Sequence, residues 1–134
     1  MSRENVEIVR SLYALWSRGD YMGTADFFDP QVEFARIGAE GVGGEGEWRG
    51  QERMWTVTAE YFRAYEDVRN ELEEIVDLGD RVLTLSRQYA RGKSSGIPIE
   101  QPLGEIFTLK EGKVVRLESY WERLKAVEAA GLSE

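Results

Sequence analysis

From Arg3 to Arg18 apolar residues recur at intervals of three and four, namely Val6, Val9, Leu12, Tyr13 and Trp16, with Ile8 and Leu15 widening the stripe. That period predicts an amphipathic helix, and Ser2 and Gly19 are residue types that open and close one. Asp20 then caps a shorter helix carrying Ala25, Phe27 and Phe28, which the Asp29-Pro30 pair stops. A strand over Gln31–Ile37, a Gly-rich loop from Gly38 to Gly50 and a third helix over Gln51–Tyr65 follow. Beyond Glu66 the period changes to alternation. Four strands are predicted over Arg69–Leu78, Arg81–Lys93, Ile97–Lys110 and Lys113–Trp121, joined by short turn-rich connections, and Glu122–Ala130 closes the chain as a helix. Helices first and hairpins second predict an α+β fold with helices on one face of an antiparallel sheet.

Alternation also sorts side chains between the two faces. In Arg81–Arg91 one parity is Leu83, Leu85, Arg87 and Tyr89, and the other Val82, Thr84, Ser86 and Gln88. The first is the more apolar and is expected to face the core. A turn centred near Gly96 sets Leu83 against Leu109, Leu85 against Phe107, Arg87 against Glu105 and Tyr89 against Leu103. The Glu111-Gly112 turn sets Phe107 against Leu117, Glu105 against Ser119 and Leu103 against Trp121. In the preceding strand Glu74 is the one charge among Leu72, Val76 and Leu78. The expectation is a polar band of Glu74, Arg87, Glu105 and Ser119 across the inner face, with Tyr89 and Trp121 beside it. A one-residue slip would turn the whole set outward. An inward Arg between two carboxylates is either a structural cross-strand pair or a site where neighbouring charges tune acid–base chemistry.

Composition narrows the chemistry. The 134 residues contain no Cys and no His, which removes thiolate nucleophiles, disulfides, zinc and iron–sulfur ligation and the Ser-His pair. Carboxylate, Arg, Tyr, Lys and Ser chemistry remains. With 17 Lys and Arg against 25 Asp and Glu the net charge is −8, so a phosphate-tracking surface and a nucleic-acid partner are not expected. No stretch approaches a membrane span and no apolar leader opens the chain, so a cytoplasmic protein without a membrane partner is expected. No Asp/Asn-rich loop suggests a metal, and no cofactor is implied. Gly41-Val42-Gly43-Gly44-Glu45-Gly46 spells a dinucleotide-loop pattern, but three nearby Glu residues and the lack of a βαβ unit argue against phosphate. A lid over a pocket mouth, with Trp48 closing on a ligand, fits it better; a loop with no role is the plainer alternative.

The element order, together with Arg18-Gly19-Asp20, Phe28-Asp29-Pro30, Val32-Glu33-Phe34, the run Phe107–Arg116, Tyr120-Trp121-Glu122-Arg123 and Ala129–Leu132, resembles the SnoaL-like group of the nuclear-transport-factor-2-like superfamily over nearly the whole chain. The resemblance implies one domain over 1–134, a cone in which a strongly curved antiparallel sheet cups three N-terminal helices, a short C-terminal helix and a homodimer. Function does not follow from the fold, which hosts isomerases, cyclases, hydrolases, dehydratases and simple binders. Laid on the ketosteroid isomerase pattern, the base position falls at Phe34 and the Tyr position at Leu12, with Tyr13 one residue away, so that base is missing. Limonene-epoxide hydrolase uses a carboxylate–Arg–carboxylate arrangement that Glu74, Arg87 and Glu105 resemble, although Tyr89 stands where that family has an Asp. SnoaL-type cyclases rely on a single acid–base carboxylate, which Glu105 or Glu74 could supply.

Three functions follow as alternatives. The first is a cofactor-independent enzyme on a small apolar molecule, with Glu74 and Glu105 as acid and base, Arg87 as their partner, and Tyr13, Phe34, Trp48, Tyr89, Ser119 and Trp121 lining the pocket. The second is a binder using the same pocket without catalysis. The third is an assembly module joined through an outward face of Thr84, Ser86, Ile106, Thr108 and Tyr120.

Overall fold

A computed structural model of the chain describes residues 2–38 and 45–132. Helix α1 (Ser2–Trp16) and a 3-10 turn (Met22–Phe27) precede β1 (Phe28–Ile37) and β2 (Gly46–Arg49). Helix α2 (Gln51–Phe62) leads into β3 (Tyr65–Asp77), β4 (Arg81–Gly92), β5 (Pro98–Lys110) and β6 (Lys113–Tyr120), and α3 (Arg123–Ala129) follows. The N-cap position of this turn is Tyr21 and not Asp20 as expected, although the Asp20 Oδ1 accepts the Gly23 N–H at 2.9 Å. The six strands form one open, curved sheet in the order β2-β1-β6-β5-β4-β3. It is not wholly antiparallel, because β1 lies parallel to β6. Within the stretch expected to be a Gly-rich loop, Gly46–Arg49 is a strand paired with β1. The proposed lid and the Gly41–Gly46 pattern otherwise fall on 39–44, outside the described residues. Among the described residues no helix is long and apolar enough to cross a membrane.

The sheet buries both faces. On the concave one, Val9, Leu12, Tyr13 and Trp16 of α1 and Met54 and Val57 of α2 pack with Val32, Phe34, Val82, Phe107 and Leu117. On the convex one, Ala126 and Ala130 from α3 and its C-terminal end cover Leu83, Ile106 and Tyr120. The last helix therefore lies across the sheet from the first two, not on their face as the sequence suggested. Gly104 makes this contact possible: a Cβ there would sit 2.5 Å from the Ala126 Cβ and 3.4 Å from the Arg123 Cα.

Register corrects the expected inner face. The β5–β6 hairpin turns at Glu111 and Gly112, both at positive φ (52° and 79°), as a two-residue turn of the favoured twist requires. Its pairs Glu105 with Ser119 and Phe107 with Leu117 fall as expected; Leu109 meets Val114 through a bulge after Thr108. Between β4 and β5, however, Leu83 faces Ile106, Thr84 faces Glu105 and Arg87 faces Pro102. That shift of three residues reverses parity, so Val82, Thr84, Ser86 and Gln88 point into the cone and Leu83, Leu85, Arg87 and Tyr89 point out. A bulge between Leu72 and Glu74 on β3 likewise puts Leu72 and Ile75 inside and Glu74 outside. Thr84 and Ser86 are fully buried, which removes them from the outward assembly face, and Ile106 and Tyr120 lie beneath α3.

A candidate site at the floor of an aromatic cavity

The concave face retains a cavity of about 80 Å³ between α2 and the strands. Eight of its seventeen described lining residues are aromatic, Trp16, Trp55, Tyr61 and Trp121 among them. Such walls suit a flat apolar molecule about one ring in size. Polar groups enter at two places.

At the first, Glu105 lies 5% exposed on β5. The Tyr13 hydroxyl donates to its Oε1 at 2.5 Å, and that hydroxyl stands 2.8 Å from the Thr84 Oγ1. Ser119 lies opposite Glu105 in register and lines the same cavity. Burial raises the Glu105 pKa above the ordinary carboxylate range, while Tyr13 and Ser119 oppose the shift by favouring the ionised form. Tyr13 is pushed up in turn, first by its own burial and then by Glu105, so it remains a proton donor to the carboxyl. Among the described residues Glu105 makes no ion pair.

The second polar group runs along the side wall. Tyr21 donates to the Asn70 Oδ1 at 2.7 Å, Gln88 donates to the same oxygen at 3.1 Å, and Tyr61 donates to the Gln88 Oε1 at 3.1 Å. Burial holds the Tyr61 pKa at about 12, so these hydroxyls stay neutral donors near neutral pH. Arg36 also lines the cavity, 7% exposed. Its guanidinium carbon stands 5.2 Å from the Tyr61 ring centre, 5.4 Å from Trp48 and 5.6 Å from Phe34. Burial lowers its pKa, with Tyr61 opposing.

With this geometry, a model of the SnoaL-like domain matches residues 9–117, most of the chain. The chain belongs to the SnoaL-like family. Solved structures of the same fold include an NTF2-like protein of unknown function from Burkholderia pseudomallei (16% identity, 93% of this chain and 95% of that one, TM-score 0.76). A protein assigned as a SnoaL-like polyketide cyclase from Jannaschia sp. CCS1 is 20% identical, with 96% and 91% covered and a TM-score of 0.76. One assigned as a polyketide cyclase from Xanthomonas campestris is 18% identical, with 96% and 98% covered and a TM-score of 0.72. No curated protein matches in sequence.

This SnoaL-like chain does not assemble the expected Glu74–Arg87–Glu105 group. Glu74 is exposed, and Arg87 lies on the convex face, where its Nε meets Glu73 at 3.0 Å and its Nη1 meets Glu100 at 3.5 Å. Glu73 also binds Arg123 of α3, and these two hydrogen-bonded arginines hold its pKa below the usual value. Glu73, shared between Arg87 of β4 and Arg123, therefore ties α3 to the sheet. Tyr89 is outside too, its ring 4.7 Å from the Arg69 guanidinium. Of the residues expected to line a pocket, Phe34, Ser119 and Trp121 stand on the cavity wall with Glu105, and Tyr13 sits behind that carboxyl. Trp48 stands on β2, its ring 5.7 Å from Phe34.

Arg36, Asn70, Gln88, Tyr21 and Tyr61 were not anticipated as site residues. For Arg36 a signal existed, since it shares the parity of Val32 and Phe34. Asn70 likewise shares the parity of Leu72. Among the described residues no cluster of acidic groups could hold a metal ion.

Proposed function

We propose that this protein is a cofactor-independent acid–base enzyme acting on a small, flat, largely apolar carbonyl compound, with Glu105 as the group that takes up and returns the proton. One observation carries the reading: a carboxyl buried at the floor of an aromatic cavity, partnered by hydroxyls and by no cation among the described residues. A carboxylate desolvated in this way is more basic than one in water, and its pKa moves toward the pH at which it works. The step is proton abstraction beside a carbonyl. Glu105 forms the O–H bond as the C–H bond breaks, the electron pair moves onto the carbonyl oxygen, and Glu105 then delivers the proton to another atom. Tyr13 and Ser119 hold the carboxyl in place and moderate its basicity. The assignment of two like-folded proteins as polyketide cyclases supports an oxygenated, ring-sized substrate.

Deuterium uptake tests this without knowledge of the natural substrate. Cyclohexanone and cyclohex-3-enone are incubated with the protein in D2O and followed by proton NMR. Exchange beside the carbonyl is expected to exceed the buffer rate, and Glu105→Gln to lose about 100-fold or more, the usual contribution of a positioned base. A wild-type protein no faster than buffer, or a folded Glu105→Gln as fast as wild type, refutes the assignment and leaves a non-catalytic binder.

A further inference from the structure

Asn70 of β3 and Gln88 of β4 stand opposite each other in register, and their amides form a relay on the cavity wall. Tyr61 donates to the Gln88 Oε1, Gln88 donates onward to the Asn70 Oδ1, and Tyr21 donates to that same oxygen. An amide oxygen has two lone pairs, so both of those on Asn70 are taken. The oxygen is thereby held against the wall. Turning the amide over would set its nitrogen against the Gln88 nitrogen, two donors at 3.1 Å.

The nitrogen of that amide is the open end of the relay. Asn70 is 4% exposed and lines the cavity, and among the described residues its Nδ2 donates no hydrogen bond. A buried N–H without an acceptor is costly, and folds retain one where an oxygen of a ligand or an ordered water completes it. Because Gln88 and Tyr21 fix the amide in advance, no reorganisation is needed when such an oxygen arrives. Glu105 stands across the same cavity. Its register partner Thr84 and the Asn70 partner Gln88 lie four residues apart on one face of β4, about 13 Å along the strand. Side chains reaching in from both ends leave room between them for about one ring. The Tyr21 pKa is raised by burial and then by the Glu105 charge, so the relay and the carboxyl share one dry space.

We propose that Asn70 holds the carbonyl oxygen of the substrate, donating to it from Nδ2 while Glu105 takes the proton beside that carbonyl. As the C–H bond breaks, its electron pair moves onto the oxygen, and the Asn70 hydrogen bond strengthens as the charge there grows. Asn70 gives up no proton. Gln88 and Tyr21 are positioning residues, since they act by aiming the amide. The substrate class is then a single-ring ketone, bound with its oxygen toward β3 and its acidic carbon toward β5. This rests on the reading of Glu105 as the base and goes beyond it by naming the group that holds the oxygen and the direction in which the substrate lies.

The chain has two asparagines, Asn5 and Asn70, so labelling asparagine alone with nitrogen-15 gives two side-chain NH2 signals, and Asn5→Gln leaves that of Asn70 to be assigned. Cyclohexanone is titrated into the full-length protein, with methylenecyclohexane, which has the same shape and no acceptor oxygen, as the control. Quenching of the tryptophan fluorescence reports occupancy. The ketone is expected to move one Asn70 proton downfield in step with occupancy, and the alkene to leave it unmoved. Asn70→Leu should weaken the ketone several-fold, spare the alkene and slow deuterium uptake by about 100-fold or more, as loss of an oxyanion donor does. No saturable binding of the ketone overturns the proposal, and so does an Asn70 signal that ignores the ketone or answers both probes alike. These signals are read with Asn70 in place, so they decide the matter if Asn70→Leu does not fold; if it folds, unchanged ketone affinity overturns the proposal as well. A ketone-specific shift without exchange above the buffer rate sinks Glu105 as base and upholds Asn70 as the oxygen-binding group. Exchange that is lost in Glu105→Gln, with no shift at Asn70, does the reverse.

Discussion

Replacing Glu105 by Gln should change how stability depends on pH, and the sign follows from burial. In the folded chain the Glu105 pKa lies above its ordinary value of 4.5, with burial the largest cause. Hydroxyl bonds to a charged acceptor return about 1.5–3 kcal/mol each, so desolvation must exceed what Tyr13 and Ser119 give back. Between the unfolded and folded pKa values the folded chain carries more of the proton, and stability falls as pH rises. The favourable contribution is complete below the unfolded value and gone once pH passes the folded one. Its slope is limited to one proton, about 1.4 kcal/mol per pH unit. With a urea m-value of about 1–3 kcal/mol/M, that moves the unfolding midpoint by up to roughly 0.5–1.4 M per pH unit. Gln is neutral throughout and keeps an acceptor for Tyr13, so its curve should lack this fall and meet or exceed wild type at the alkaline end. Glu73, held low by Arg123 and Arg87, has the opposite sign and contributes fully above the ordinary carboxylate range. Urea titrations from pH 5 to 9 therefore isolate Glu105. Parallel wild-type and Gln curves would mean that the carboxyl is not desolvated, and the basis for its enhanced basicity would fall with them.

Gly104→Ala should destabilise by about 1–3 kcal/mol, the usual effect of overpacking, because its Cβ collides with Ala126. Equilibrium unfolding measures it, and an added Ala126→Gly should recover most of the loss; a neutral Gly104→Ala would show that α3 does not seat on β5. Arg87→Met should leave deuterium exchange within about twofold of wild type, since its ion pairs with Glu73 and Glu100 lie on the convex face. A loss comparable to that of Glu105→Gln would restore Arg87 to the site.

The parts of the site that could be read in advance were those set by short-range geometry. Across the Glu111-Gly112 turn, positive φ at both residues leaves little freedom of register, so Glu105 could be placed opposite Ser119 and on the face of Phe107. The five-residue connection from Lys93 to Ile97 imposes no such constraint. There the apolar pattern had to decide, and it misled, because Leu83 is 1% exposed beneath α3 while Val82 is fully buried in the cone. Where both faces are covered, alternation no longer marks the inside. Glu74 was misplaced for a different reason, a single bulge that reverses parity partway along β3.

By itself, then, the sequence determined most of the elements, though not the short strand Gly46–Arg49, their order, the family and the narrow set of chemistries open to a chain without Cys or His. Periodicity and turn chemistry are local, and they survive in a linear reading. The tertiary structure decided which carboxyl is buried and that Arg87 lies on the far face, paired with Glu73 and Glu100. It also brought Arg36 into one row with Ser119 and Glu105, through the parallel pairing of β1 with β6. That pairing joins strands more than seventy residues apart, and no local signal specifies it; only burial of the concave face against α1 and α2 selects it.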